Sequence, residues 1–391
     1  MALQIVIFYN GLKGEDPMLI ALTQQNQRII SYEHSRDVLQ HYRQQETFYC
    51  PHCHQPVRLK IGTINIPHFA HVSNLTCDQY FTEGESALHL KGKVLLFEWL
   101  KKLGHTVELE PYLSRLAQRP DLLLRNQNKL TAVEFQCSAI THEKWRIRTD
   151  GYEKENIEAL WLFQTPSKKR APVGIQKISI SPLLQQIIKH TQKGLPYIVT
   201  FDANASQFIY WSNLLHLHGH TFITKVQCLP LDQQRYPFLE PKPLVKADFY
   251  RYEQLYKKTG GQYLLQRLFR SKKGVQDPFL RSCYEMGYSL EKMPAYVGLP
   301  VRNAEAIPCF SIEWQTLLQY FCRQLHVQPD ELCKGDIQLF LHQLGIEPTT
   351  TSIQAVKNYC EIVEKTFSST DLISSVWEQV YVHLFAIDKT Y

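Results

Sequence analysis

A Cys50-Pro-His-Cys53 knuckle, followed after fourteen residues by His68-Phe-Ala-His71 and then by Cys77, constrains this chain more than any other feature. A C-x2-C pair offers two thiolates from one tight turn, and a second pair of ligands must return to complete a tetrahedron. His68, His71 and Cys77 are three candidates for those two positions, while His52 and His54 sit inside the knuckle. A segment this short cannot build a large core, so a metal would supply much of its stability. The spacing is read as a structural Zn2+ site built from Cys50, Cys53 and two of His68, His71 and Cys77, since enough soft ligands exist to close it. Unrelated thiols and a redox disulfide are the alternatives; the βαβ setting of a thioredoxin-like dithiol is missing.

The ten cysteines are spread along the chain, and the opening run MALQIVIFYNGLKGEDP lacks the basic start and long apolar stretch of a secretory leader. With no apolar run of about 20 residues, the reading is a cytoplasmic protein with reduced thiols. Hydrophobic residues at 44% and charged residues at 20% place the chain among globular proteins and exclude disorder. A net charge of +6 permits a polyanionic partner without requiring one.

Three regions follow from the pattern of elements. Residues 1–82 form a β-rich module around the Cys/His site, with strands at Leu3–Tyr9 and Met18–Thr23 and a helix start near Ser31–Gln45. Residues 83–165 read as a helix over 84–104, strands at His105–Leu109, Pro120–Arg125 and Leu130–Gln136, a helix at Thr141–Asn156 and a strand at Ile157–Gln164. Residues 166–391 begin with an exposed loop, TPSKKRAPVG. A helix at Ser181–Thr191 and strands at Pro196–Phe201, Gln207–Trp211 and Thr221–Leu229 come next. Beyond Ala247 helical periodicity dominates, notably at Ile312–Leu325, Ile337–Leu344 and Leu372–Phe385.

Two features of the middle region point to chemistry. The turn Asn126–Lys129 joins two strands; if Arg125 pairs with Leu130, Asp121 falls opposite Glu134 and the two carboxylates share a face, close enough to hold one divalent ion. Gln136 lies on that same face. On the preceding helix Glu85, His89 and Lys93 form one polar line that continues into Leu96, Leu100 and Leu103, so the ionisable groups extend a buried face. A solvated edge with i,i+4 pairs is the alternative.

A helix with Glu, a strand with Pro-Asp and a strand with Glu-x-Gln, in that order, resembles the PD-(D/E)xK nuclease superfamily. The runs YCPHCHQPVRLKIGTINIPHFAH, GESALHLKGKVLLFEWL, RPDLLL, AVEFQCSAI and RIRTDGYEKENIEALWLF, in this order, resemble the CoiA competence family over about residues 1–165. The resemblance implies a restriction-endonuclease-like mixed α/β sheet core, between the small zinc-binding module and a mostly helical C-terminal region. It implies Asp121 and Glu134 as Mg2+ or Mn2+ ligands, Gln136 in the position usually held by lysine, and Glu85, His89 and Lys93 as auxiliary groups. Lys93 or Lys144 would have to take over the missing lysine's work. Arg148 and Tyr152, one turn apart, would touch a phosphate and a base, or else form a plain helix-surface pair.

The implied role is natural transformation: incoming single-stranded DNA is processed by a metal-dependent deoxyribonuclease, or bound by a non-catalytic accessory factor that assists the strand-exchange recombinase. A restriction-like or phage-defence nuclease is a third option. Two basic clusters, Lys168-Lys169-Arg170 and the run from Arg267 through Arg270, Lys272 and Lys273, are candidate DNA contacts or solvated surface. His216, His218 and His220 alternate, but without carboxylates or thiols nearby in the sequence they are not read as a metal site.

Overall fold

The computed structural model describes residues 17–72, 86–126, 129–166, 173–272, 274–289, 292–367 and 372–385. The strand expected at Leu3–Tyr9, together with Cys77, Glu85, Lys168-Lys169-Arg170 and Lys273, lies outside the described residues. The chain divides into two compact units. The first gathers residues 1–167, 199–209 and 228–239; the second gathers 168–198, 210–227 and 240–391.

The first unit starts with short strands β1 (Ile20–Leu22) and β2 (Arg28–Ile30), then helix α1 (Arg36–Gln45). Strands β3 (Phe48–Tyr49), β4 (Pro56–Lys60) and β5 (His68–His71) complete an antiparallel sheet ordered β2-β1-β3-β4-β5. The Ser35 side chain accepts the Val38 N–H and starts α1. Leu39 of that helix joins Met18, Phe48, Val57, Leu59 and Phe69 in a small core that also contains Cys50.

Next come α2 (Ala87–Lys102), β6 (Thr106–Leu109), β7 (Leu122–Asn126), β8 (Lys129–Gln136), α3 (His142–Lys154) and β9 (Ile157–Gln164). Ser86 caps α2 by accepting the His89 N–H, and Thr141 caps α3 by accepting the Lys144 N–H. Strands β6, β7 and β8 form an antiparallel meander, and β9 returns parallel to β8 after the α3 crossover. The register is the expected one, with Arg125 facing Leu130. Residues 131–135 of β8 are all buried, as suits a strand covered on both faces. Gly92 lets α2 approach that strand, because a Cβ there would stand 1.9 Å from Cε1 of Phe135.

The second unit takes β10 (Gly174–Ser179), α4 (Pro182–Gln186), β11 (Lys189–His190) and parts of β12 (Pro196–Asp202), β13 (Gln207–His218) and β14 (Thr221–Pro230). Its helices are α5 (Lys246–Arg270), α6 (Pro278–Met286), α7 (Ser311–Leu325), α8 (Lys334–Gln343), α9 (Thr350–Phe367) and α10 (Leu372–Phe385). Tyr252, Tyr256, Phe310, Trp314 and Tyr359 are among its buried core. Within the first unit the sheet runs β12-β9-β8-β7-β6, with Thr200 of β12 paired in parallel to Phe163 of β9. The fold is therefore mixed α/β with a mixed sheet, an N-terminal Cys/His cluster and a largely helical C-terminal region. Among the described residues no helix is long and apolar enough to cross a membrane.

Two local readings change. The helix expected at Ser181–Thr191 stops at Gln186, because Lys189 and His190 pair with Tyr197 and Pro196 around a turn in which Gly194 has a φ of 74°. The strand β10 falls where a loop was expected to end; its residues, half-buried as at Gln176 or exposed as at Lys177, carry no apolar alternation to announce it.

Candidate functional site

The Cys/His knuckle is shaped by backbone hydrogen bonds. The Cys50 N–H donates to the Gln55 carbonyl at 2.9 Å, and the His54 N–H donates to the Cys50 carbonyl at 3.0 Å. His54 takes a left-handed φ of 53° to close the turn. The His52 N–H donates to Cys50 Sγ at 3.4 Å. Strand β5 then delivers His71, whose Nε2 lies 3.3 Å from Cys53 Sγ. The ligand atoms of Cys50, Cys53 and His71 all lie within 4.8 Å of one another. Two thiol sulfurs and one imidazole nitrogen make a soft donor set suited to a metal such as zinc.

His68 is not part of this group. Three residues from His71 on a strand, it faces the other way, and its Nδ1–H donates to the Ile66 carbonyl at 2.9 Å. Of the five sequence candidates, the fold thus gathers Cys50, Cys53 and His71 and leaves out His68; Cys77 lies outside the described residues.

The second site forms where α2 crosses the β7–β8 hairpin. Asp121 precedes Leu122, which faces Val133, so Asp121 and Glu134 sit at the next opposed positions. Both are buried. Asp121 Oδ2 accepts the Phe135 N–H at 2.7 Å and faces His89 Nε2 at 3.1 Å, so with an ionised Asp121 that nitrogen carries the proton. Lys93 Nζ, fully buried, stands 3.7 Å from Asp121 Oδ1. Burial pushes the Asp121 pKa up, but the charge and hydrogen bond of His89, the charge of Lys93 and the Phe135 N–H outweigh it and hold this carboxyl below its ordinary range.

Glu134 is held from α3. Its Oε1 accepts from both Arg148 and the Tyr152 hydroxyl. Burial raises the Glu134 pKa, Arg148 opposes that, and the charge of Asp121 adds to the rise, leaving it above the ordinary value. Among the described residues Asp121 Oδ1 and Glu134 Oε2 accept no hydrogen bond. Each carboxylate thus commits one oxygen to hydrogen bonds; the second oxygens, that of Asp121 facing the Lys93 ammonium at 3.7 Å, are hard donors of the kind that a divalent cation such as Mg2+ or Mn2+ takes.

The comparisons with known proteins fall on these same residues. Residues 31–80 match the family described as "Competence protein CoiA, N-terminal domain", and residues 85–242 match "Competence protein CoiA, nuclease-like domain". A protein named "Competence protein CoiA" from Bacillus subtilis (strain 168) is 28% identical over 292 residues, 71% of this chain and 72% of that protein. The chain belongs to the competence protein CoiA family. No solved structure matches it.

In this CoiA chain the N-terminal match covers the knuckle and His71, and the nuclease-like match covers Asp121, Glu134 and the cations around them. The remaining candidates are placed as follows. Gln136 donates its amide to the carbonyl and hydroxyl of Ser138, both at 3.0 Å. Tyr152 has no exposed surface on which a base could stack, and Arg148 is turned inward with it. Lys144 opens α3 at the surface. Arg270 and Lys272 are exposed at the end of α5 beside an 85% exposed Phe269, whereas Arg267 is bound to Asp277 and Glu313. His216 is buried against the Gly219 carbonyl; burial lowers its pKa to about 4.

One residue of the nuclease-like site was not among the sequence candidates. Glu110, just past β6, is buried, and its Oε1 pairs with Lys93 while its Oε2 accepts the Leu19 N–H at 3.0 Å.

Proposed function

We propose that this CoiA-family chain cleaves DNA phosphodiester bonds, using a divalent ion held by Asp121 and Glu134. The observation carrying the proposal is the pair of buried carboxylates at opposed register positions, each with one oxygen outside the hydrogen bonds that fix it, and a buried lysine beside Asp121. Carboxylates facing a polyanion repel it unless a cation stands between them. Mg2+ or Mn2+ in that place supplies Lewis-acid charge for the scissile phosphate and a more acidic water. The protein's own part is positional. His89, Lys93 and the Phe135 N–H keep Asp121 ionised, Arg148 and Tyr152 fix Glu134, and Gln136 can orient a water but not deprotonate it. His89, Lys93 or Lys144 would assist with the proton.

The family name supports a finer reading. Incoming single-stranded DNA in natural transformation is the substrate, in the cytoplasm, with the strand-exchange recombinase as a partner. Arg270 and Lys272, flanking exposed Phe269, are candidate strand contacts. The Cys50, Cys53 and His71 group is read as a structural Zn2+ site completed by a fourth ligand, for which Cys77 is the sequence candidate. The three-region division at 1–82, 83–165 and 166–391 is kept as a functional one: zinc module, nuclease-like domain, partner-binding region.

A second reading, the non-catalytic accessory factor, draws on Gln136 in the lysine position and on Arg148 occupying Glu134. Incubating the full-length protein with single- and double-stranded DNA in Mg2+, Mn2+ or chelator separates the two. Metal-dependent cleavage is expected. Binding without cleavage of any DNA form in either metal overturns the enzyme reading.

A further inference from the structure

Residues 109–112 lead from β6 toward the loop that ends at Asp121, and the Cys/His module grips them at three points. Arg28 of β2 donates to the Leu109 carbonyl at 2.7 Å. The Leu19 N–H donates to Glu110 Oε2 at 3.0 Å. The ring of His52, between the two knuckle cysteines, lies against Tyr112 with centroids 3.7 Å apart. The other oxygen of Glu110 binds Lys93, and Lys93 stands next to Asp121. A continuous line therefore runs from the module through Leu19, Glu110 and Lys93 to the candidate metal carboxylate.

Two properties of Glu110 argue against a bystander. Its φ is 46°, in the left-handed region where glycine or asparagine is the ordinary occupant and a longer side chain is disfavoured. It is also 6% exposed, paired with a lysine of 0% exposure. A buried ion pair is a poor way to gain stability, since a well-packed apolar pair often serves as well or better. A strained, charged residue kept in a core is a pointer to function.

We infer that Glu110 is a positioning residue through which the Cys/His module sets the nuclease-like site; the inference rests on reading Asp121 and Glu134 as that site. The module's Leu19 N–H orients the Glu110 carboxylate, which fixes the Lys93 ammonium against Asp121. Loosening the knuckle withdraws Leu19 and frees Lys93. The module is then a condition for an assembled site and not only a separately folded appendage.

The test is acetylation of lysines in the full-length protein with a water-soluble acylating reagent, read residue by residue by mass spectrometry. Lys93 is protected in the wild type. Glu110→Gln, which keeps the size and an acceptor for Leu19 but not the charge, raises Lys93 labelling about tenfold or more, as does Cys53→Ser. Leu318→Ala, a cavity in the buried core of the second unit, leaves Lys93 protected and controls for general loosening. In metal-dependent cleavage, Glu110→Gln lowers kcat with KM unchanged, and has no further effect in a Lys93→Met background. Equal protection of Lys93 in Glu110→Gln or Cys53→Ser, equal labelling in Leu318→Ala, or additive effects of Glu110→Gln and Lys93→Met overturn the inference. A wild type that cleaves no DNA defeats the enzyme reading instead, and the labelling result alone then decides whether the module holds Lys93.

Discussion

Arg148 of α3 reaches back to Glu134 of β8, and the two close into a buried ion pair whose acceptor oxygen is shared with the Tyr152 hydroxyl. Arg148 also donates to the Arg119 carbonyl at 3.1 Å, so it ties the segment before Asp121 to Glu134. Removing one partner of such a pair strands the other without compensation. Arg148→Met should cost about 3 kcal/mol or more in urea unfolding. A loss under about 1 kcal/mol, the range of an exposed pair, would mean that Glu134 finds water instead.

The two carboxylates should respond to pH with opposite signs. The Asp121 pKa is held below its ordinary 3.8, so its contribution to stability is present above that value and fades as pH falls toward the folded-state pKa. The Glu134 pKa is raised above its ordinary 4.5, so its contribution is complete below that value and is lost as pH rises through the folded-state pKa. Asp121→Asn should therefore destabilise more near neutral pH than in acid, and Glu134→Gln more in acid than near neutral pH. Unfolding curves of both variants across that range check this; parallel profiles would contradict it.

Gly92 and Gly151 make a matched pair of helix glycines. A Cβ at Gly92 would collide with the buried Phe135 ring, whereas one at Gly151 would meet the amide end of Gln118, 2.3 Å away, which can swing aside. Gly92→Ala should be the costlier change, by about 1–3 kcal/mol of overpacking. It should also disturb Asp121, which the Phe135 N–H holds. Thermal unfolding of the two variants is the measurement, and equal midpoints would contradict the close approach of α2 to β8.

Elemental analysis of the purified protein should find about one zinc per chain. Cys50→Ser, Cys53→Ser and His71→Ala should each lose it, while His68→Ala should keep it. Zinc lost from His68→Ala, or retained in Cys53→Ser, would contradict the proposed ligand set.

Much of this arrangement is visible in the sequence because it depends on local rules. The polar residues between two apolar runs mark where β7 and β8 pair, and the apolar stripe of α2 places Lys93 on an inward face. Strand parity alone could have separated His71 from His68. Glu110 gives no such signal. It follows Glu108 and Leu109 in strict alternation, which predicts a surface position like that of Glu108, paired with Arg125. The left-handed turn of its backbone reverses that, and its partners Leu19 and Lys93 come from distant parts of the chain. The inward turn of Arg148 and Tyr152 was hidden for a similar reason: helix spacing pairs them with each other, and only the packing of α3 on β8 aims both at Glu134.

Asp121 and Glu134 are proposed to form a working phosphodiester site in spite of Gln136. Single-turnover cleavage and equilibrium binding of labelled single-stranded DNA, measured in parallel in Mg2+ or Mn2+ on wild type, Glu134→Gln and Gln136→Lys, test it most directly. Glu134→Gln should abolish cleavage while binding is kept or tightened, since a negative charge leaves the phosphate site, and Gln136→Lys should retain or raise activity. A wild type that binds but never cuts, with Gln136→Lys equally inert, would overturn the proposed site and assign the chain to the accessory role.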